Sequence, residues 1–500
     1  VSSTDLSLIT NLIRNDHLAD GEKCQFNEVA SYFHLVNATH AYGERRFEAS
    51  DVWGSQSRLI AAHVSQQTAR CMLYVTGHIT DADEVQDDLE TFLNRQVELL
   101  PAIENTSAKV DATSEIACER LRLCQLLNQE QHFDDVVVTS ITALLQPVPT
   151  AAFISSQQMQ LESDTTPKGG QGALIEWLID EGFTRCDQID VVGDYAQRGG
   201  IIDVFSPGES LPLRIEFFGD EIESLRTFDL DTQRSNNHIK KITLNGCRNA
   251  GEMTKRDETT SFLNYLPANT IIVLEETLEI TEVGKMFLQR VDDVKGYYSL
   301  PSIFKKFNAF DMLAIYRFSG GGPEATAHRG VSFSGQSLQR FDQQAIRGLE
   351  LIIEEAANKT VYLFCENQSQ QKRTKEMLSD ITNGKPPKSI QLPIGFIHLG
   401  FEMPGAGMIV YGHHELFGQH QRRRRFRKIK SAQVIDNFTD LEVNDYIVHI
   451  NHGIGRFKGL KTIEKHGRRE EYLTLEYAKG ALIHVPASKI DLVHKYVGAG

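Results

Sequence analysis

The chain is poor in cysteine, with 7 in 500 residues at positions 24, 71, 118, 124, 186, 247 and 365. None forms a Cys-x-x-Cys pair, which excludes a zinc framework by spacing, and an odd count fits a reducing compartment better than a disulfide scaffold. No run approaches 18 apolar residues and the N-terminus has no signal-peptide pattern. The sequence therefore predicts a cytoplasmic protein without a membrane segment. Gly-Lys-Thr and Gly-Lys-Ser triplets are missing, as is any Asp-Glu-x-His or Asp-Glu-x-Asp box, so no nucleotide-driven motor is visible. No Ser-His-Asp or Cys-His constellation can be assembled, so no catalytic residue and no metal ligand is assigned. A surplus of positive charge is lacking too. The net charge of −15 argues against a surface built to coat nucleic acid, while leaving room for a local basic patch.

What is present is ordinary globular composition, 41% hydrophobic and 24% charged. The chain is too long for one core and the length predicts about three domains or more. It begins with Val1, which points to an alternative start or to a piece of a longer chain. Residues 1–30 read as a weakly patterned N-terminal tail that includes a helix. Cys71–Val75 and Phe133–Thr139 read as buried strands, and Asp81–Leu93 and Ser114–Leu127 as helices. Residues 31–154 are thus expected to form an α/β domain with a parallel sheet. A helix is expected at Ala173–Glu181, and residues 155–240 form a β-rich insert. The α/β pattern resumes over 241–345, so one α/β domain is split by an inserted domain. Residues 346–420 make a small α/β domain, opened by a helix over Leu338–Ala357, and 421–440 a basic linker. Over 441–500, short strands at Tyr446–Ile450, Arg456–Ile463, Tyr472–Tyr477 and Leu482–Val485 predict a small β-barrel. A closing amphipathic helix is expected after Pro486, with Ile490, Val493 and Tyr496 on one face.

The most informative stretch is 193–234. Ile201–Phe205, Leu213–Phe218 and Ile222–Phe228 read as consecutive strands. The intervening Gly219-Asp220 predicts a tight type II′ hairpin. Alternation along the middle strand puts Leu213, Ile215 and Phe217 on one face. Arg214, Glu216 and Phe218 share the other. Phe218 is either covered at the sheet edge or part of an aromatic-plus-arginine docking patch, the residue types that dominate interfaces.

Other motifs are weaker. Val52-Trp-Gly-Ser-Gln-Ser-Arg58 occupies the place of a phosphate loop but has one glycine and no lysine. It is expected to keep a strand-to-helix turn without phosphate chemistry. His413-His414-Glu415 lacks the spacing of a zinc pair and reads as a surface loop. Arg422, Arg423, Arg424, Arg425, Arg427 and Lys428 lie in a run that is either a solvated linker or a phosphate contact. The strand Tyr472-Leu-Thr-Leu-Glu-Tyr477 is either fully paired at home or an edge that accepts a partner's strand.

Arg198-Gly-Gly-Ile-Ile-Asp-Val-Phe205, Arg214-Ile-Glu-Phe-Phe-Gly-Asp-Glu-Ile-Glu-Ser224 and Thr232-Gln-Arg234 resemble a signature shared by UvrB and the bacterial transcription-repair coupling factor (Mfd) family. Val138–Pro149 resembles the latter. Asp445-Tyr-Ile-Val-His-Ile-Asn-His-Gly-Ile-Gly-Arg-Phe457 is similar to that family's RNA-polymerase-interacting, CarD-like domain. The resemblance covers about residues 31–500. It implies a degenerate P-loop-type parallel α/β domain in UvrB-like pieces 1a (31–154) and 1b (241–345). The insert at 155–240 becomes UvrB-like domain 2, and the terminal barrel an SH3/Tudor-like module. By position, Arg198, Arg214 and Phe218 match the UvrA-contacting residues. Tyr472, Leu473, Thr474 and Leu475 are implied to bind the RNA polymerase β subunit. The family's two motor domains, with their ATP and magnesium and most of the DNA contact, have no counterpart in these residues, so no cofactor is expected here. A monomeric adaptor between polymerase and UvrA is the resulting expectation. The alternatives are part of a DNA translocase or a CarD-like transcription regulator.

Overall fold

The computed structural model describes residues 20–34, 43, 45–103, 115–129, 135–209, 211–230, 233–248, 258–291, 296–319, 329–338, 345–417, 432–434, 446–449, 453–465, 468–476, 482–486 and 493–496. Short, uniformly apolar strands dictate its largest layer. Met72–Thr76 and Val136–Ser140 are buried at every position, as a strand covered on both faces must be. They belong to a seven-stranded sheet, ordered Arg329–Ser332, Arg46–Ser50, Asp311–Ile315, Ile271–Glu275, Met72–Thr76, Val136–Ser140, Glu98–Leu100. Every pairing in it is parallel. Alternate side chains enter two cores: Met72, Tyr74, Val136 and Val273 on one face, Leu73, Val75, Val137 and Ile272 on the other. Ile271–Glu275 and Asp311–Ile315 lie between Arg46–Ser50 and Met72–Thr76, so segments on both sides of the β-rich stretch build one sheet.

The expected N-terminal helix is present, but it is no loose appendage. Asp20–His34 is a helix, and Phe26, Val29, Ala30 and Phe33 are buried in the first core. Their three- and four-residue spacing is the stripe of a core helix, diluted in sequence by polar neighbours.

A second, mixed sheet runs Gln336–Ser337, Phe401–Met403, Met408–Gly412, Thr360–Phe364, Ile390–Gln391. Tyr362, Phe364, Phe401 and Val410 join the first core, while Val361, Leu363 and Ile409 form a separate one with the helix Ala345–Glu355. That helix starts later than Leu338, because Gln336–Ser337 pairs with Phe401–Glu402 as a strand.

The β-rich stretch holds a six-stranded sheet and a two-stranded one. In the latter, Lys241–Asn245 pairs with Gln158–Glu162, which carries the stretch past the expected limit of 240. The helix Gly170–Asp180 covers its inner face through Leu174 and Leu178.

Residues 420–500 form a unit of their own. Its sheet is antiparallel and six-stranded: Ala432–Val434, Val493–Tyr496, Tyr446–His449, Gly453–Lys465, Arg468–Glu476, Leu482–Pro486. The expected closing helix is overturned over Val493–Tyr496, which pairs with Tyr446–His449 on one side and Ala432–Val434 on the other. Partners from distant sequence settle a four-residue segment that local pattern leaves ambiguous. Ala432–Val434 sits within the expected linker. The basic run 422–428 lies outside the described residues.

Candidate docking face

The hairpin of Leu213–Phe218 and Glu221–Phe228 forms as the sequence predicts, with Phe218 opposite Glu221 across Gly219-Asp220. Gly219 takes φ +62°, the value a type II′ turn demands at its first central residue. The turn is tied to a helix. Asp220 Oδ1 accepts from the Gln171 backbone N–H at 3.4 Å, placing a carboxylate at the start of Gly170–Asp180 where the helix dipole favours it. Gly170 has φ +65°, and a Cβ there would collide with the Asp220 carboxylate. Ile222 and Thr165 bond across the neighbouring loop, fixing the base of the turn.

Along Leu213–Phe218, Leu213, Ile215 and Phe217 point into the core. Phe218 points out, at 79% exposure. Its neighbour on this face was not singled out from sequence. Ile201 stands opposite Glu216 in one register and Arg198 in the other, and is 36% exposed. The parity of Ile201–Val204 carries that signal, since Ile202 and Val204 are buried and Ile201 alternates with them. Arg198 is exposed and its Nη2 donates to the Asp187 carbonyl at 2.6 Å. Glu216 is held by Arg226 at 3.0 Å and by the Ser224 hydroxyl at 2.6 Å. The face thus presents Arg198, Ile201 and Phe218 around a pinned carboxylate.

Arg214 departs from expectation. It shares the strand parity of Phe218 but is turned inward, with its guanidinium 4.7 Å over the Phe228 ring. Its Nε and Nη2 donate to the two Asp203 oxygens at 2.7 and 2.8 Å. Hydrogen bonding to Asp203 raises its pKa. It is a brace beneath the face, because a buried carboxylate on the adjacent strand captures it.

The turn at 51–58 joins two sheets. The Ser55 N–H donates to the Leu399 carbonyl at 2.9 Å, and its hydroxyl donates to Asp88 at 2.6 Å. Arg58 Nη1 donates to the Gly54 carbonyl at 2.8 Å and pairs with Glu275 at 3.0 Å. Asp88 also accepts the His398 N–H at 2.8 Å. Burial pushes its pKa up to about 6, against the pull of Arg58 and His398. At the start of the helix Gln56–Thr68, the Ser55 N–H is therefore spent on the Leu399 carbonyl and the Gln56 N–H on the Trp53 carbonyl at 3.1 Å. His414 is buried beside this joint, with Nε2 3.2 Å from the His398 carbonyl, which corrects the surface-loop expectation for it.

In the terminal unit, Tyr472–Glu476 is paired with Arg456–Lys461 on one side and Leu482–Pro486 on the other. It is not an open edge there. Leu473 and Leu475 are fully buried, so neither side chain is free to touch a partner; Thr474 is half-buried. Among the described residues of this unit, the strands with one bonded side are Ala432–Val434 and Leu482–Pro486.

Two family models match the chain. Residues 164–248 match the UvrB interaction domain, and residues 441–497 the CarD-like/TRCF RID domain. This order fits the N-terminal half of a transcription-repair-coupling factor. The chain is 24% identical to the transcription-repair-coupling factor of Bacillus subtilis, over 93% of this chain and 46% of that protein. With the Staphylococcus epidermidis factor it is 25% identical over 99% of this chain and 47% of the relative. The Staphylococcus haemolyticus factor is 24% identical over 93% and 47%. The chain spans about half the length of the curated relatives it matches.

Proposed function

We propose that this chain acts in transcription-coupled DNA repair as a two-ended adaptor. The 164–248 domain recruits UvrA, and the 441–497 module attaches to RNA polymerase, through its β subunit. Phe218 carries the first half of this reading: a hairpin tied to a helix terminus holds a large aromatic side chain at 79% exposure. Exposed aromatics beside arginine are the material of interface hot spots. Arg198 and Ile201 complete the contact, and Arg214 supports it from below. The polymerase contact is assigned to an edge of the SH3/Tudor-like terminal sheet. Tyr472–Glu476 then serves as its core strand.

In this reading the chain works as a cytoplasmic monomer. No described helix is long and apolar enough to cross a membrane. It gives the turn at 51–58 a structural role, since Ser55 and Arg58 are engaged by Asp88, Leu399 and Glu275. ATP, magnesium and DNA translocation belong to the family's motor domains. Immobilised chain should retain purified UvrA and purified RNA polymerase from separate solutions. Retention of polymerase alone would favour a transcription regulator, and retention of neither would refute the adaptor.

A further inference from the structure

The helix Gln368–Ile381 and the loop after it carry Lys372, Arg373, Lys375, Lys385 and Lys388, against only Glu376 and Asp380. In a chain of net charge −15 this is a local inversion of sign. All five cations are exposed, and none is paired to a carboxylate among the described residues. Their placement follows from the helix period. Thr374 and Leu378 are buried against the second sheet, which leaves Lys372, Arg373 and Lys375 on the outer side. Lys385 and Lys388 follow beyond the helix C-terminus, ahead of Ile390–Gln391.

The composition of the strip selects its partner. Residues 368–389 contain no aromatic side chain, whereas protein interfaces depend on buried aromatic and apolar anchors. A row of free lysine and arginine without such an anchor suits a polyanion bound by charge and not by sequence. We propose that the strip Lys372–Lys388 is a contact surface for the phosphate backbone of double-stranded DNA. It is separate from the face around Phe218 and does not depend on the adaptor reading.

Binding of the full chain to a fluorescein-labelled 30-base-pair duplex, followed by anisotropy between about 50 and 300 mM salt, tests this. Each phosphate contact contributes about 0.9 to the slope of log affinity against log salt. Replacing Lys372, Arg373 and Lys375 together by alanine should lower that slope by about 2 to 3 and weaken binding more than tenfold at the lowest salt. Lys385→Ala with Lys388→Ala should act the same way on a smaller scale. Circular dichroism of each variant should match the parent, since all five side chains are exposed. An unchanged slope in both variants would overturn the proposal. So would polyglutamate binding as tightly as the duplex at equal salt, which would reassign the strip to an acidic protein surface.

Discussion

Arg214 and Asp203 stand directly opposite each other on adjacent antiparallel strands, and the guanidinium grips both carboxylate oxygens at 2.7 and 2.8 Å. Both side chains are largely shielded, at 18% and 8% exposure. Truncating one partner of such a pair leaves the other charge buried and alone. Arg214→Ala should therefore destabilise the 164–248 domain by about 3 kcal/mol. Trp177 packs against that domain's core, so its fluorescence during urea unfolding, in a Trp53→Phe background, reads the effect. A loss of unfolding free energy below about 0.5 kcal/mol would show that the pair is not a brace.

Phe218 should behave in the opposite way. At 79% exposure it contributes little to the fold, so Phe218→Ala should change stability by less than about 0.5 kcal/mol. UvrA affinity should fall about 30-fold or more, as for a hot-spot residue. Calorimetry on Phe218→Ala and Ile201→Ala separates docking from folding, which Arg214→Ala cannot do. Undiminished UvrA binding by Phe218→Ala would remove the hairpin from the interface.

Gly170→Ala leaves every residue of the face in place but disturbs its mount. The new Cβ meets the Asp220 carboxylate, and alanine is strained at φ +65°. A loss of about 1 kcal/mol or more in domain stability is expected. UvrA binding should weaken although Phe218 and Arg198 remain. Binding equal to the parent would show that the turn's anchorage does not matter.

The two α/β sheets should loosen as pH rises from about 4 to 7. Burial lifts Asp88 from its ordinary 3.8 to about 6, so the folded chain holds that proton more tightly than the unfolded one. Its contribution is complete below about pH 4 and is lost as pH rises through 6. His398 moves the same way. Burial alone would lower its pKa, but Asp87 and Asp88 raise it, so its contribution fades above its ordinary 6.5. Together these predict an unfolding free energy that falls across the window, by up to about 3 kcal/mol for Asp88, read as a falling melting temperature. Asp88→Asn should flatten the lower part, between about pH 4 and 6. An identical pH profile would mean that Asp88 does not titrate there.

Leu473 and Leu475 should report on the terminal sheet alone. Both are fully buried, and either changed to alanine should cost about 3 kcal/mol. Aspartate at either site should unfold the sheet, seen as lost strand signal in circular dichroism of residues 420–500. A folded Leu475→Asp variant would contradict the burial.

Much of the fold was legible because strands and helices write their periods locally. Cys71–Val75 and Phe133–Thr139 read as strands from their apolar runs and lie within a few residues of Met72–Thr76 and Val136–Ser140, and the parity of Leu213–Phe218 put Phe218 on the face away from the core. The two-residue turn at Gly219-Asp220 was equally local, because backbone freedom at one glycine sets it.

Sequence could not say what lies across from a residue. Parity placed Arg214 beside Phe218, but Asp203 on the neighbouring strand and Phe228 beneath it turned the guanidinium inward. Tyr472–Glu476 looked the same whether edge or interior, until Leu482–Pro486 closed its second side. Val493–Tyr496 became a strand because two strands flank it, and Asp20–His34 entered the core because a large sheet offered it an apolar face. The sequence by itself determined periods, turns and faces, which depend on neighbours along the chain. Tertiary structure alone decided which polar groups are spent on one another and which side chains remain for a partner, because those pairings join residues far apart in sequence.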